Sequence, residues 1–248
     1  MNLKLNKHQI ERFSRQIILK NIGSIGQKKI INSKVLIIGM GGLGCPVAEF
    51  LTRAGIGYLG IVDSDNVDLS NIHRQSLYNI DDLKKSKVTA AKRKLKRINS
   101  KVKIGCHKIR LNQNNYRKVI EGYDYIVDGS DNFKTKFLIN DICKDSNKFL
   151  ITGAISKFDG HIFTFDFKKK NTPCIRSFFQ EEKVSDDILN CEYEGILGTV
   201  AGIIGTILAN EVLKKILSVG KNLNGYIIIL DLLNLNFRKV KLNKIKNV

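Results

Sequence analysis

Three glycines with GxGxxG spacing come directly after an apolar segment. Gly39, Gly41 and Gly44 follow VLII and precede CPVAEFLTRA, a segment with the composition of a helix. Glycine lets backbone N–H groups approach an anion, and the N-terminus of a helix adds the positive end of its dipole. Asp63 closes the next apolar segment, where an acid can accept hydrogen bonds from ribose hydroxyls. These residues together predict a nucleotide-binding site.

The polar residues after Asp63 favour a triphosphate over a dinucleotide. Backbone amides and a helix dipole can hold a pyrophosphate, whereas a triphosphate carries about four negative charges and needs cations and usually magnesium. Asn71, Arg74 and Gln75 come shortly after the second apolar segment, and Lys87 begins the segment KVTAAKRKLKRI. Each basic residue alone is more simply a solvated charge, so only their joint spacing indicates phosphate binding.

Two acids follow another apolar segment in YIVDGSDN. Asp128 and Asp131 would lie at the carboxyl end of a strand, in the crevice where open α/β sheets bind ligands. A carboxylate there could hold Mg²⁺ across the phosphates. The alternative for Asp131 is the N-cap of the helix-like segment FKTKFLINDIC, and neighbouring residues could take both roles.

Short β-branched segments alternate with helix-like ones, which predicts an α/β fold with a doubly wound, mostly parallel sheet and antiparallel C-terminal strands. The predicted strands cover residues 34–39, 58–63, 102–109, 123–128, 149–153, 161–167, 226–231 and 236–242. A further helix is predicted over residues 198–217. Its glycines at 198, 202 and 205 suit close packing, either in the core or against a second copy of the chain, and the sequence favours neither.

Composition limits the partners and the compartment. The 248 residues include 42 Lys and Arg against 23 Asp and Glu, a net charge of +19 that could attract nucleic acid, an acidic protein or anionic lipid. Lys is spread along the chain together with much Ile and Asn, so compositional drift is favoured over a dedicated nucleic-acid surface. The N-terminus lacks the apolar core of a secretion signal, and the apolar run at residues 196–209 is too short to span a bilayer. We therefore expect a soluble, cytoplasmic protein without a membrane partner.

Taken together, the motifs resemble the ThiF/MoeB/HesA group of adenylyltransferases, relatives of the ubiquitin-activating enzymes. The resemblance rests on RFSRQ at 12–16, GMGGLG at 39–44, DSDNVDLSNIHRQ at 63–75, KSKVTAAK at 85–92, DGSDNFKTKFLIND at 128–141 and CEYEGILGTVAGIIGTILANEVLK at 191–214.

The resemblance implies a single Rossmann-like domain over residues 1–248 with an N-terminal helical arm, acting as a homodimer. The implied reaction uses ATP and Mg²⁺ to adenylylate the C-terminal glycine carboxylate of a small ubiquitin-like sulfur carrier ending in Gly-Gly. It would serve thiamine or molybdopterin biosynthesis or tRNA thiolation, with a sulfurtransferase as a possible further partner. The alternatives are the branch of the superfamily that adenylates and cyclises a modified tRNA base, and an NAD-dependent oxidoreductase.

The resemblance also implies a role for each matching residue. Residues 70–74 and Lys87 would contact phosphates, Asp131 would hold magnesium, and Arg15 would reach the partner's phosphates across the dimer. Arg74, Lys87, Asp131 and Arg15 would thus be the residues that promote the reaction. The implied nucleotide-binding residues are Gly39, Gly41, Gly42, Gly44, Asp63, Asp65, Ser70, Asn71, Ile72, His73, Arg74, Gln75, Lys87, Asp131 and Asn132.

Cysteine usage departs from the pattern of the group. Many members hold a structural zinc with two CxxC pairs, but here Cys174 is followed by Ser177, the C-terminal pair is missing and no CxxC occurs, so we expect no zinc. Cys191 matches a position that in some relatives bonds covalently to the activated carrier. Glu192 and Glu194 would raise the pKa of its thiol, so a covalent role and an inert cysteine both remain open.

Overall fold

A computed structural model describes residues 4–179, 195–221 and 223–242. In this part of the chain eight strands form one sheet in the order β3-β2-β1-β4-β5-β6-β7-β8. The strands are β1 (Lys34–Ile38), β2 (Tyr58–Val62), β3 (Lys103–His107), β4 (Tyr125–Asp128), β5 (Phe149–Ser156), β6 (Asp159–Asp166), β7 (Tyr226–Asp231) and β8 (Asn236–Lys241). Strands β1 to β5 pair in parallel and β6 to β8 are antiparallel, which confirms the predicted fold class.

Helices cover both faces of the parallel part of the sheet. They are α1 (Lys7–Arg12), α2 (Ser14–Ile17), α3 (Gly23–Asn32), α4 (Gly44–Ala54), α5 (Lys87–Ile98), α6 (Tyr116–Ile120), α7 (Phe133–Asp145) and α8 (Gly198–Leu217). Short 3₁₀ turns lie at Leu69–Asn71, Ile80–Asp82 and Ile175–Ser177. One apolar core includes side chains of α4, α5 and α8, and a second core includes side chains of α6 and α7. No helix in the described ranges is long and apolar enough to cross a bilayer.

The central strands are continuous apolar segments because both of their faces are covered. Four of the five residues of β1 are buried, and so are four of the five in β2. Ile38 of β1 pairs with Val62 of β2 on one side and with Asp128 of β4 on the other. The residues that follow these three strands therefore meet at one edge of the sheet.

Strand β5 extends further than the sequence indicated. It continues from the predicted end at residue 153 to Ser156, and all eight of its residues pair with β6. This long antiparallel pair connects the parallel part of the sheet to its C-terminal strands.

Helix α8 uses two of its three glycines for packing within the chain. A Cβ on Gly205 would overlap the ring of Pro46 and lie 2.7 Å from the carbonyl oxygen of Leu43, and a Cβ on Gly198 would overlap the carbonyl oxygen of His73. A Cβ on Gly202 would meet no atom within 4 Å. The core interpretation therefore applies to Gly198 and Gly205, whereas a contact between two copies stays a prediction for the side that carries Gly202.

Replacing the two inner glycines of α8 separately tests this division. Gly205→Ala should lower the free energy of unfolding by about 1–3 kcal/mol because rigid atoms of α4 and its preceding turn block the new methyl group. Gly202→Ala should raise it by up to about 1 kcal/mol because alanine is the better helix former. Urea unfolding of both variants measures the difference, and equal stabilities would show that Gly205 is not tightly packed.

Candidate functional site

A cavity of about 530 Å³ opens at the carboxyl ends of β1, β2 and β4. Most of the residues predicted to bind a nucleotide line it. They are Gly39, Gly41, Gly42, Asp63, Asp65, Ser70, Asn71, Arg74, Gln75, Lys87, Asp131 and Asn132. Gly44, Ile72 and His73 are not among the lining residues. The 12 predicted residues that line the cavity come from four separate segments of the sequence.

The glycine turn after β1 is shaped by contacts that exclude a side chain. Gly39 has a φ of +90°, and a Cβ there would lie 2.8 Å from the carbonyl oxygen of Gly129. A Cβ on Gly44 would overlap the carbonyl oxygen of Gly39. Gly39 and Gly44 therefore form the turn itself, whereas Gly41 and Gly42 face the cavity.

Asp63 braces the glycine turn from the neighbouring strand. Its two carboxylate oxygens accept hydrogen bonds from the backbone N–H of Met40 at 2.7 Å and of Asp65 at 2.8 Å. Burial raises the pKa of Asp63 above its ordinary value, and the opposing charge of Lys87 does not fully offset that effect. A carboxylate oxygen can accept more than one hydrogen bond, so Asp63 can shape the turn and also bind a ligand hydroxyl.

Lys87 is a nearly buried cation at the cavity. It is 6% exposed and begins helix α5, and its Nζ lies 3.0 Å from a carboxylate oxygen of Asp65. Burial alone would raise the pKa of Asp65, but the hydrogen bond and the charge of Lys87 lower it overall. The Asp65 side chain is 62% exposed, so this ion pair lies at the mouth of the cavity, where an anion could compete for Lys87.

Arg74 is oriented by the 3₁₀ turn that precedes it. Its Nη1 donates to the carbonyl oxygen of Ser70 at 2.9 Å and lies 2.8 Å from Nε2 of His73. The Ser70 hydroxyl itself donates to Asp68 at 2.9 Å, so it belongs to the turn. Gln75 is 3% exposed, and within the described ranges its Oε1 is buried without a hydrogen-bond partner. A buried acceptor of this kind at a cavity wall suits a hydrogen-bond donor on a ligand.

The residue that caps helix α7 is Asn132, so the N-cap alternative for Asp131 is wrong. The Asn132 side chain accepts a hydrogen bond from the backbone N–H of Thr135 at 2.9 Å. Asp131 is exposed and lines the cavity, and one of its oxygens accepts from Nδ2 of Asn132 at 3.2 Å. Asn132 is therefore the helix cap, and magnesium binding by Asp131 stays a prediction.

Asp128 is not a ligand-facing acid, contrary to its expected position in the crevice. It is 1% exposed, and one of its oxygens lies 3.1 Å from Nζ of Lys136, which is 2% exposed. That same oxygen accepts from the Thr152 hydroxyl, and the other oxygen accepts from the backbone N–H of Ser130 at 2.9 Å. Asp128 therefore holds the loop that carries Asp131.

Sequence reasoning missed Lys136. Its Nζ donates to Asp128, to the Thr152 hydroxyl at 3.3 Å and to the carbonyl oxygen of Gly153 at 2.7 Å, which uses all three ammonium protons. The sequence feature that could have identified Lys136 is its spacing from Phe133 and Phe137, which places it on the buried face of α7. An unpaired cation there would destabilise the fold.

The donor atoms fit magnesium better than zinc. In the described part of the chain no group of three or more His, Cys, Asp or Glu side chains is placed to hold a metal ion. Magnesium needs only one or two carboxylates together with phosphates and waters, which Asp131 can satisfy. Cys174 is buried with its Sγ 3.9 Å from Oγ of Ser177, and this pair does not supply the thiolate or imidazole ligands of a structural zinc site.

One residue predicted to promote the reaction is not brought to the cavity. Arg15 lies exposed on α2 and is not among the cavity-lining residues, so its action across a dimer stays a prediction. Cys191 lies outside the described residues.

The Asp128–Lys136 pair gives a prediction about stability. Lys136→Met should lower the free energy of unfolding by about 3–5 kcal/mol because it leaves a buried carboxylate without its partner. Lys134→Met is the matched control, since Lys134 is exposed on the same helix, and it should change stability by less than about 0.5 kcal/mol. Thermal or urea unfolding measures both. Adding Asp128→Asn to Lys136→Met should recover part of the loss, and a double variant as unstable as the sum of the single variants would contradict the pairing.

Comparisons with known proteins agree with this geometry. The model of the ThiF family matches residues 13–248. The chain is 40% identical over 242 residues to a Drosophila sechellia protein named adenylyltransferase and sulfurtransferase MOCS3, a match that covers 98% of this chain and 53% of that protein. It is 34% identical over 245 residues to a Thermus thermophilus protein named sulfur carrier protein adenylyltransferase, covering 98% of this chain and 90% of the relative.

Solved structures share the fold. A crystal structure of PaaA superposes with a TM-score of 0.81 at 25% identity, covering 99% of this chain and 77% of that one. Escherichia coli MccB with ATP superposes with a TM-score of 0.82 at 22% identity, covering 95% and 73%. The chain spans about half the length of the Drosophila relative and most of the length of the Thermus relative. The family match over nearly the whole chain and the identity to these relatives show that the protein is a member of the ThiF family.

Proposed function

We propose that the chain adenylylates the C-terminal carboxylate of a small sulfur-carrier protein with ATP. The observation that carries this proposal is the cavity itself, in which a glycine turn, the cations of Arg74 and Lys87 and the exposed carboxylate of Asp131 meet at one edge of the sheet. The name of the Thermus relative, which aligns over 90% of its length, supports the same activity. The Drosophila relative is also named a sulfurtransferase, but this chain spans only 53% of that protein. A separate sulfurtransferase therefore belongs to the proposal as a possible partner.

The cavity offers a distinct place for each part of ATP. The apolar side chains of Ile38, Val62 and Leu111 form a wall beside Asp63. The adenine would pack against this wall, and the ribose hydroxyls would donate to Asp63. The backbone of Gly41 and Gly42, together with the polar residues 70–75, would surround the phosphates.

In the proposed reaction the protein positions the two reactants and neutralises charge on the phosphates. An ionised carboxylate oxygen of the carrier attacks the α-phosphorus of ATP, the new P–O bond forms, and the bond to the bridging oxygen breaks as pyrophosphate leaves with the electron pair. No proton has to be removed from the carboxylate, so no protein nucleophile or general base is required. Magnesium, when bound, would neutralise charge on the phosphate oxygens.

Three side chains would bind the phosphates and the metal. Lys87 would leave Asp65 and donate to the β- and γ-phosphates, and Arg74 would donate to the departing pyrophosphate. Asp131 would hold the metal at the rim of the cavity. For the carrier's pathway the proposal has three alternatives, which are thiamine biosynthesis, molybdopterin biosynthesis and tRNA thiolation. For Cys191 it has two alternatives, a covalent bond to the carrier and an inert thiol.

ATP–pyrophosphate exchange tests the activity directly. With Mg²⁺ and a carrier ending in Gly-Gly, the wild type should exchange labelled pyrophosphate into ATP, and Asp131→Ala should lose about 100-fold or more because charge stabilisation at the phosphates is lost. Asp124→Ala is the matched control, because Asp124 is exposed at the opposite end of β4. Exchange that is independent of the carrier, or equal losses in both variants, would contradict the proposal.

A mixing experiment tests whether Arg15 acts across a dimer. Arg15→Ala and Asp131→Ala proteins should each be inactive alone. After mixing and subunit exchange they should recover about a quarter of wild-type exchange, because half of the dimers then contain one intact site out of two. Lack of recovery, with subunit exchange verified by mass spectrometry, would show that Arg15 does not complete the partner's site.

A further inference from the structure

The positive charge of the chain is concentrated in one segment. Residues 83–120 contain 14 Lys and Arg and no Asp or Glu. This segment therefore contributes +14 of the net charge of +19, and the other 210 residues together contribute +5. Residues 12–48 also lack acids but contain only six Lys and Arg, so the excess of cations is largest in residues 83–120. Compositional drift toward lysine does not account for that imbalance.

The segment forms one edge of the molecule. It contains α5, β3 and α6, and β3 is the edge strand of the sheet. Helix α5 packs inward through Val88, Ala91 and Leu95, which are almost completely buried. Its opposite face carries Lys92, Arg93, Lys96 and Arg97. The amphipathic helix thus presents a solvent face made almost entirely of cations.

Intramolecular ion pairs account for few of these charges. Arg93 is paired with Asp82, which is fully buried, and Lys96 donates to the carbonyl oxygen of Ser100. Within the described residues Lys92, Arg97 and Lys101 make no ion pair. Arg12 of α1 donates to the carbonyl oxygen of Ile98 and so places another cation at the end of α5. We call Arg12, Lys92, Lys96, Arg97 and Lys101 the basic edge.

A stabilising role within the helix explains only part of the basic edge. Lys96 and Arg97 lie in the last turn of α5, where cations interact favourably with the negative end of the helix dipole. That effect falls off within one turn, so it does not require cations at Lys92 or at Lys101 in the following loop. It also gives no reason for the absence of acids over 38 residues.

We propose that the basic edge binds the phosphate backbone of a nucleic-acid duplex. Lys and Arg side chains supply most of the affinity of proteins for nucleic acid through phosphate contacts that do not depend on base sequence. The basic edge has the cations that such contacts require, and residues 83–120 contribute no competing acid. This inference is independent of the proposed adenylylation, because none of the five residues lines the nucleotide cavity.

Among the described residues, the segment at 83–120 exposes no large apolar side chain. This favours a nucleic-acid partner over an acidic protein or an anionic membrane. A protein interface would have an apolar centre, and a helix lying on an anionic membrane would expose an apolar face. Sites for single strands add aromatic side chains on which bases stack. The one aromatic residue in the segment is Tyr116, and Arg117 lies over its ring.

Fluorescence anisotropy with labelled 20-base-pair RNA and DNA duplexes tests the proposal. At about 50 mM salt the wild type should bind at least one duplex with a Kd of about 100 μM or tighter. A variant with Lys92→Gln, Lys96→Gln, Arg97→Gln and Lys101→Gln should bind about tenfold more weakly or worse. The slope of log Kd against log salt should fall by about two to four, because each lost phosphate contact removes about one released counterion.

A matched variant separates the basic edge from overall charge. Lys168→Gln, Lys169→Gln, Lys170→Gln and Lys241→Gln remove the same charge from exposed residues outside residues 83–120, and this variant should bind within about twofold of the wild type. Circular dichroism and unfolding curves verify that both variants are folded.

Three results would overturn the proposal. They are no binding by the wild type to either duplex, equal weakening in the two variants, and binding of polyglutamate of equal charge as tight as that of the duplexes. Preference for RNA or for DNA would identify which duplex the surface takes.

Discussion

The candidate site depends on a contact between two backbone turns. The turn after β1 and the turn after β4 touch at Gly39 and Gly129, which follow adjacent parallel strands. Hydrogen bonds from Gly39 N–H to the Val62 carbonyl and from Gly129 N–H to the Ile38 carbonyl extend the sheet up to this contact. A methyl group at residue 39 would collide with the second turn. Glycine is therefore required at this position for the turns after β1 and β4 to lie in contact. Every side chain of the cavity is placed relative to this contact.

Charged residues around the cavity divide into those that build it and those that can meet a ligand. Asp128 and Lys136 are both almost completely buried and satisfy each other and the neighbouring loop. Lys87 is nearly as buried, but its ionic partner Asp65 is largely exposed. A buried cation with an exchangeable partner is suited to binding phosphate, whereas breaking the inner pair would leave an uncompensated charge. Of these two pairs, the one at the rim is therefore the one that could exchange its partner for phosphate in the proposed reaction.

The segment after β6 is held to the rest of the chain by an arginine ion pair and by aromatic contacts. Arg176 forms a bidentate ion pair with Asp141 of α7 and lies over the ring of Phe137 with its guanidinium 4.7 Å from the ring centroid. Phe178 and Phe179 pack against each other and against Phe163 at centroid distances of 4.6–5.9 Å. Aromatic contacts and a bidentate arginine pair together tether this segment to α7 and to β6.

The sequence by itself determined the fold class and many of the polar residues that line the cavity. The apolar segments, the glycine turn and the polar residues after Asp63 are local patterns, and parallel strands place whatever follows them at a common edge. Only the tertiary structure decided that Asp128 pairs with Lys136, that Asn132 caps the helix and that Gly205 is packed while Gly202 is not. It also decided that Arg12 lies beside the exposed cations of α5 in the basic edge. These features depend on which side chains meet across elements distant in sequence, and no spacing along the chain contains that information.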